Sequence, residues 1–190
     1  DGNIVKNSPS DAIVVRGAPA GAVLSVRGNT VTGSARNGID VFDTLSLQVD
    51  SAATPLVSGN TVTGSRGFAI RISSMSLDYA LVSPNMGTGN KINAVSLSGT
   101  LVKNTAWMPP SGSTLAPVIG SSSERYPGLT VAAGATLTLR PGFVLKAGNG
   151  AWCGGCSDAT YVNLGVDGAL IAEGTATKPV TITSSADDSV

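Results

Sequence analysis

A seven-residue string occurs twice in this chain without a change. Gly28–Ser34 reads Gly-Asn-Thr-Val-Thr-Gly-Ser, and Gly59–Ser65 has the same letters. A looser copy stands at Gly2–Ser8 and a degenerate one at Gly89–Asn93. A period of 26 to 31 residues predicts a repeat fold in which each unit stacks on its neighbours. The asparagines at equivalent positions are Asn3, Asn29, Asn60 and Asn90.

The copies themselves have the alternation of β-strands. In Thr30–Thr32 the valine faces one way and the threonines the other, because successive side chains on a strand alternate. No run shows the 3.6-residue spacing of a helix, so the sequence predicts an all-β fold. Each copy is followed by a second short alternating run, at Ala12–Val15, Gly38–Val41, Ala69–Ile72 and Ala94–Leu97.

The apolar residues predict a stacked aliphatic core. Hydrophobic residues make up 42% of the chain but aromatic residues only 4%, so the core must consist of Val, Ile, Leu and Ala. One repeat cannot bury its apolar face alone, whereas stacked repeats form a continuous column. Stacking also places equivalent turn residues in a row. We expect the four asparagines of the copies to form hydrogen bonds with one another in such a row.

The chain divides into three stretches by composition. Residues 1–104 hold the Gly-Asn repeats, and residues 128–190 contain further short strands bounded by glycine or proline. The stretch 105–127 is rich in Pro, Ser and Gly and predicts an irregular loop insertion. Within it, Leu115–Ile119 is expected to be an edge strand because Pro117 lacks an N–H donor.

The last stretch carries a family resemblance. The runs Leu129–Lys146 and Leu164–Ser184 resemble bacterial extracellular right-handed parallel β-helix repeat proteins, the pectin-lyase-like group, and residues 1–104 are similar to its shorter repeats. The resemblance implies a right-handed single-stranded parallel β-helix, a solenoid of about seven coils, and a secreted or cell-surface protein. Because that group includes lyases, hydrolases, adhesins and stalks, the resemblance does not by itself imply a function.

Composition argues against several partners. Basic and acidic residues number 12 each, so no excess positive charge is present to bind nucleic acid. No run reaches the roughly 18 apolar residues that a membrane-spanning helix needs. The chain has no histidine, the commonest general base and metal ligand.

Neither end of the sequence has the atypical residues of a capping repeat. We therefore expect these residues to belong to a longer stack, continued either covalently or by head-to-tail contact between molecules. The preferred function is structural: an extracellular stalk, an adhesin segment or a filament subunit. The alternative is a carbohydrate-active domain (a polysaccharide lyase or glycoside hydrolase) or a sugar-binding module that contacts cell-surface polysaccharide.

Cys153 and Cys156 form a C-x-x-C pair. A short-loop disulfide in an oxidising compartment is the preferred interpretation. Free thiols, redox chemistry and metal binding remain alternatives, although a tetrahedral zinc site needs two further ligands and the chain has no third cysteine.

The acids of the first stretch are candidates for calcium or for catalysis. Asp40, Asp43 and Asp50 offer carboxylates, and Arg36 and Arg71 are the nearest basic residues. Lyases of the resembling group combine calcium-binding aspartates with such a base. The preferred interpretation is nevertheless that these carboxylates are exposed and solvated on the outer strand face, with no cofactor bound.

Two further surface features suggest ligands. Trp107 and Trp152 stand in predicted loops, where they could stack on sugar rings or cover the core. Rows of outward threonines could order water and bind ice, although threonine also favours exposed strand positions. The Thr-x-Thr pairs are Thr30/Thr32, Thr61/Thr63, Thr136/Thr138 and Thr181/Thr183.

Overall fold

The fold is all-β, with parallel sheets. A computed structural model describes residues 1–17, 24–44, 56–74, 77–120, 128–148, 163–187 and 189, and for residues 43, 44 and 163 the backbone alone. Within these ranges the only helical element is one 3₁₀ turn, Tyr79–Leu81. This turn is the longest helix described, so no helix in these ranges could cross a membrane.

The chain forms two compact units. Unit 1 comprises Asp1–Val95 and Pro110–Ala116, and unit 2 comprises Ser96–Pro109 and Pro117–Val190. The two units are described separately below.

Within the described residues, unit 1 contains nine short strands and the start of a tenth. Strands that follow one another in the chain belong to different sheets, and each pairs with the strand one repeat further on. The sheet orders are β1-β4-β7-β9, β2-β5-β8-β10 and β3-β6. The strands are β1 (Ile4–Lys6), β2 (Ile13–Arg16), β3 (Val26–Arg27), β4 (Thr30–Thr32), β5 (Ile39–Thr44), β6 (Val57–Ser58), β7 (Thr61–Thr63), β8 (Phe68–Ser74), β9 (Met86–Thr88) and β10 (Ile92–Leu101).

The register of unit 1 stacks equivalent aliphatic residues directly. We call the strands of one repeat a rung. Val31 pairs with Val62 in parallel, as the sequence predicts, and both side chains are fully buried. Ile39 likewise pairs with Ile70, and both are fully buried. The core of unit 1 is therefore a column of Val and Ile contributed by successive rungs.

The fourth rung of unit 1 differs from the prediction. Thr61 pairs with Met86, so the segment equivalent to Gly59–Gly64 is Pro84–Gly89 and not Gly89–Asn93. The step to this rung is 25 residues. Proline occupies the place of the first glycine, and this substitution hides the repeat when the letters alone are compared.

Gly87 occupies the place of the stacked valine in the fourth rung. A Cβ at Gly87 would lie 2.5 Å from Leu115 Cδ2. The fully buried Leu115, from the segment Pro110–Ala116, thus supplies the apolar side chain that Gly87 lacks.

Unit 2 has the same kind of parallel pairing. Its pairs include β11–β14–β17, β10–β13–β16 and β12–β15–β18. Fully buried leucines on β13, β14 and β15 form its core with Phe143 and Trp107. Its strands after β10 are β11 (Thr105–Trp107), β12 (Ala116–Ile119), β13 (Gly128–Val131), β14 (Thr136–Leu139), β15 (Val144–Ala147), β16 (Asn163–Val166), β17 (Ala169–Ala172) and β18 (Thr181–Ser184).

The stretch 105–127 is not irregular throughout. It contains β11 and β12, and residues 121–127 lie outside the described residues. The predicted edge strand is wrong, because β12 lies between β10 and β15. Its register with β15 involves Val118 and Ile119, so the missing N–H of Pro117 plays no part in that pairing.

The first prediction concerns Gly38, which stands where the neighbouring rungs carry Ala12 and Ala69. The repeat pattern suggests that Gly38→Ala is harmless. An added Cβ would instead lie 2.2 Å from Val62 Cγ1 and 2.7 Å from the carbonyl oxygen of Ala69. We expect Gly38→Ala to lower the free energy of unfolding by about 3 kcal/mol, because a packed core resists insertion.

The control for this substitution is Gly165→Ala. A Cβ there has its nearest neighbour, Thr130 Oγ1, at 3.4 Å, an ordinary contact. Urea unfolding of both variants measures the difference. Equal stability of the two variants would contradict the packing described around Gly38.

Candidate functional site

A ladder of asparagine side chains, buried except for Asn3, runs through the turns of unit 1. Asn3 Nδ2 donates to Asn29 Oδ1 at 3.0 Å, and Asn29 Nδ2 donates to Asn60 Oδ1 at 2.9 Å. Asn60 Nδ2 in turn donates to Asn85 Oδ1 at 2.9 Å. Every accepting Oδ1 also receives the backbone N–H of the preceding asparagine, at 3.0 to 3.1 Å. The predicted asparagine row is thus confirmed for three of its four members.

The fourth predicted member, Asn90, is wrong, because the register places Asn85 on Asn60. Asn90 is also buried, but it belongs to a different turn. Its Oδ1 accepts the N–H of Ser65 at 2.9 Å, and its Nδ2 donates to the carbonyl oxygen of Val62 at 2.8 Å. An ungapped alignment of the fourth rung, with Pro84 in the place of glycine, would have identified Asn85 from sequence.

The ladder is closed at the Asn85 end. Ser113 Oγ donates to the Asn85 carbonyl oxygen at 2.6 Å and accepts its N–H at 3.4 Å. Thr114 Oγ1 bonds both the N–H and the carbonyl oxygen of Gly87, at 2.9 and 3.0 Å. Hydroxyl groups of the segment Pro110–Ala116 therefore satisfy the positions that a further rung would occupy.

The ladder is open at the Asn3 end. Asn3 is exposed, and within the described residues its Oδ1 accepts no hydrogen bond. The strands of this first rung, β1 and β2, are the end members of their sheets. Their inward side chains Val5, Ile13 and Val15 are only partly buried, whereas their partners in the second rung are completely buried.

Unit 2 ends on an equally open rung. Ile182 of β18 pairs with Leu145, which is fully buried, yet Ile182 is 53% exposed. Leu170 of β17 pairs with the fully buried Leu137 and is itself only partly buried. These side chains continue the apolar column but lack a rung on their outer side among the described residues. The first rung of unit 1 and the last rung of unit 2 are therefore the candidate interaction sites.

The acids proposed for calcium or catalysis are placed differently from the prediction. Asp40 is only 2% exposed and is therefore not solvated. Arg71 donates two hydrogen bonds to its carboxylate. Arg71 Nε lies 2.7 Å from Asp40 Oδ1, and its second nitrogen lies 2.5 Å from Oδ2. A bidentate pair of this kind joins β5 to β8 and satisfies the buried carboxylate.

The other acidic and basic candidates do not gather around Asp40. Arg36 Nε lies 3.9 Å from Asp11 Oδ2, and the Arg36 side chain is exposed whereas that of Asp11 is largely buried. The side chain of Asp43 and the whole of Asp50 lie outside the described residues. Within the residues that the structure describes, no three potential metal ligands lie together.

Trp107 lies in the core of unit 2. It is fully buried, and its ring centroid is 6.0 Å from that of Phe143. With no exposed ring face, Trp107 offers no surface on which a sugar could stack. Trp152, Cys153 and Cys156 lie outside the described residues.

Only the first two Thr-x-Thr pairs stack on each other. Thr30 pairs with Thr61 and Thr32 with Thr63, and Thr63 Oγ1 lies 3.4 Å from Thr32 Oγ1. The pair at β14 faces Ala169 and Ile171, and the pair at β18 faces Val144 and Lys146. The row of Thr30 and Thr61 is thus two rungs long and ends at Met86, whereas the row of Thr32 and Thr63 continues to Thr88 in the fourth rung.

Among the described residues, two side chains have clearly shifted pKa values. Burial raises the pKa of Tyr79 from 10.0 to about 12, and a hydrogen bond with Ser83 partly opposes the shift. Hydrogen bonds from the side chains of Ser189 and Thr183 and from the Ser189 backbone lower the pKa of Asp187 to about 2. Tyr79 is buried in the 3₁₀ turn between β8 and β9, and Asp187 accepts hydrogen bonds in the turn after β18, so both shifts have structural causes.

The second prediction tests the ladder at Asn60, which is fully buried. Asn60→Asp removes both Nδ2 donors, which bond the Val26 carbonyl oxygen at 2.8 Å and Asn85 Oδ1 at 2.9 Å. We expect the free energy of unfolding to fall by about 3 kcal/mol, because two buried acceptors each lose a donor and face a carboxylate.

Asn104→Asp is the matched control for this experiment. Asn104 is exposed, and its Oδ1 accepts the N–H of Thr136 at 2.9 Å, a role that an aspartate oxygen retains. Thermal unfolding at pH 7 should show a large loss for Asn60→Asp and little change for Asn104→Asp. A small effect at Asn60 would mean that the ladder contributes little to stability.

The third prediction concerns alkaline pH. Below pH 10 Tyr79 keeps its proton in both the folded and the unfolded chain, so its contribution to stability is fully present. Between pH 10 and 12 the unfolded chain loses this proton first, so stability falls as pH rises, by up to about 3 kcal/mol. Tyr79→Phe should lose less stability than the parent between pH 9 and pH 12 in urea unfolding. If the free energy of unfolding falls equally with pH in the two proteins, the assignment of this pH dependence to Tyr79 is refuted.

Comparison with other proteins gives no further guidance. No protein-family model matches the chain, and no similar protein was found among curated proteins or solved structures. The function must therefore be inferred from the chain's own residues.

Proposed function

We propose that this chain is part of an extracellular structural β-solenoid, a stalk, adhesin segment or filament subunit that associates by stacking its open rungs. We infer that the repeats coil as a right-handed single-stranded parallel β-helix of about seven coils, in the manner of the pectin-lyase-like group. Its role is to present a long, regular, self-complementary surface rather than a catalytic pocket.

One observation carries the proposal: within the described residues, the apolar column of each unit ends on a rung whose inward aliphatic side chains are partly exposed. At Ile182 the side chain is 53% exposed, while Leu145, one rung further in, has no exposed surface. The same contrast separates Val5 from Val31 in unit 1. Exposed strand edges with aliphatic side chains are templates for pairing with another chain.

A further rung would bury these side chains and pair with the outermost strands. Full burial of one Val, Leu or Ile stabilises by about 1.5 to 3 kcal/mol, so the three partly exposed side chains of the unit 1 edge and the two of the unit 2 edge provide a substantial driving force. Contact between two different edges is heterologous, and such contacts build filaments when they do not close into a ring.

Composition supports an extracellular structural role. Only 13% of the residues are charged, and the basic and acidic residues balance at 12 each. Low net charge permits close approach of identical molecules, because self-repulsion is weak. The resemblance of residues 129–185 to secreted repeat proteins points in the same direction.

The fourth prediction tests the edge directly with Ile182→Lys. A lysine there places a charge in the apolar column of the last rung, and pairing would have to bury that charge. We expect self-association to weaken at least tenfold in sedimentation velocity over a concentration series.

Ile171→Lys is the control, since Ile171 is 46% exposed but pairs with the outward-facing Thr138 of the next rung inward. It introduces the same charge on the same rung outside the column. Association of the control should match that of the parent. If the parent stays monomeric at all concentrations, or if both variants behave alike, the proposal fails.

A further inference from the structure

We propose that the edge formed by β1 and β2 is a strand-addition site, and that it selects a partner segment carrying asparagine at the turn and aliphatic residues on its inward face. The partner is a rung-forming segment with the pattern of Gly28–Phe42. The inference rests on the proposed function in that open edges pair, and it adds the chemistry by which this edge chooses its partner.

The ladder provides the first argument. Asn29 Oδ1 and Asn60 Oδ1 each accept two N–H groups from the asparagine one rung earlier: the side-chain Nδ2 and the backbone N–H. Asn85 Oδ1 is satisfied in the same way. Asn3 Oδ1 has the same position in its rung and receives neither donor within the described residues. The missing partner is therefore an asparagine.

Unit 1 itself shows what covers such an edge. The segments Gly2–Arg16 and Gly28–Phe42 align without a gap, since Ile4 pairs with Thr30 and Arg16 with Phe42. The next rung is also aligned without a gap from Thr30, which pairs with Thr61, to Val41, which pairs with Ile72. Each segment covers the next with two strands and the turn between them. The face of Gly28–Phe42 is covered by Gly2–Arg16, so the equivalent face of Gly2–Arg16 fits another segment of this kind.

The two ends of the ladder differ in a way that supports the assignment. At Asn85 the hydroxyls of Ser113 and Thr114 occupy the place of a further rung, and Leu115 fills the apolar position. No equivalent group among the described residues covers Asn3, and Val5 beside it is only partly buried. The open end is thus the one suited to accept a strand.

Selection follows from desolvation of Asn3 Oδ1. A segment that covers this oxygen without offering a donor leaves a buried acceptor unsatisfied. Asparagine offers Nδ2 and also satisfies the geometry of the turn. Aspartate has the same shape but brings only acceptor oxygens, so it faces Asn3 Oδ1 with like polarity. Main-chain pairing supplies affinity, and this single side chain supplies specificity.

A synthetic peptide with the sequence of Gly28–Thr44 tests the proposal against the full chain. Binding is measured by fluorescence anisotropy of the labelled peptide, with a scrambled peptide as background. The matched peptide carries Asn29→Asp. We expect the parent peptide to bind and the Asp peptide to bind at least tenfold more weakly.

A variant of the chain tests whether Asn3 Oδ1 is the atom that distinguishes the two peptides. Asn3→Leu removes the acceptor, and Asn3 is exposed, so the buried part of the ladder from Asn29 to Asn85 keeps its bonds. On this variant the two peptides should bind with similar affinity, because the oxygen that distinguishes them is gone. Circular dichroism and thermal unfolding confirm that the variant is folded.

The outcomes separate this inference from the proposed function. Equal binding of the Asn and Asp peptides to the parent chain, or no binding above the scrambled peptide, overturns the inference. Weaker binding of the Asp peptide supports the inference even if Ile182→Lys leaves self-association unchanged. That unchanged self-association would contradict only the proposed function. Discrimination that persists on Asn3→Leu also overturns the inference.

Discussion

Stacking of like residues in register is the constraint from which the other features of each unit follow. Because Val31 lies on Val62 and Ile39 on Ile70, every rung must present the same face at the same height. The asparagine ladder enforces that register from the turns, since each Oδ1 is positioned to receive two donors from one neighbour. A slip by one residue would expose the aliphatic side chains and leave buried amides without partners.

The repeat tolerates different residues at equivalent positions as long as the apolar column stays filled. In the fourth rung glycine replaces the inward valine, and Leu115 reaches in from a segment distant in sequence to fill the space. In the second rung glycine replaces the alanine of its neighbours, because Val62 leaves no room for a Cβ at position 38. In sequence these substitutions look like a loss of the repeat pattern. In the structure, side chains from other parts of the chain occupy the space that each glycine leaves.

Much of unit 1 is predictable from sequence, and the exceptions have identifiable causes. Identical strings fix the register of Asn29 and Asn60, and alternation fixes which side of each strand faces the core. The register of the fourth rung could not be predicted, because Pro84 and Gly87 interrupt the letters that define the repeat. This rung also depends on the side chain of Leu115, which fills the apolar position at Gly87. Asp40 was expected in solvent, since nothing local indicates that Arg71, one rung away, forms a bidentate pair with it. Trp107 looked like a loop residue because its partner Phe143 is 36 positions further along the chain.

The asparagine side chains of the ladder all point the same way, with the carbonyl end of each amide towards the first rung and its N–H end towards the fourth. Amide dipoles aligned in series reinforce one another, and each hydrogen bond polarises the next. The column of amide dipoles therefore has a direction, with its negative end at Asn3. Any assembly that extended this column would keep that direction, so its two ends would be chemically distinct.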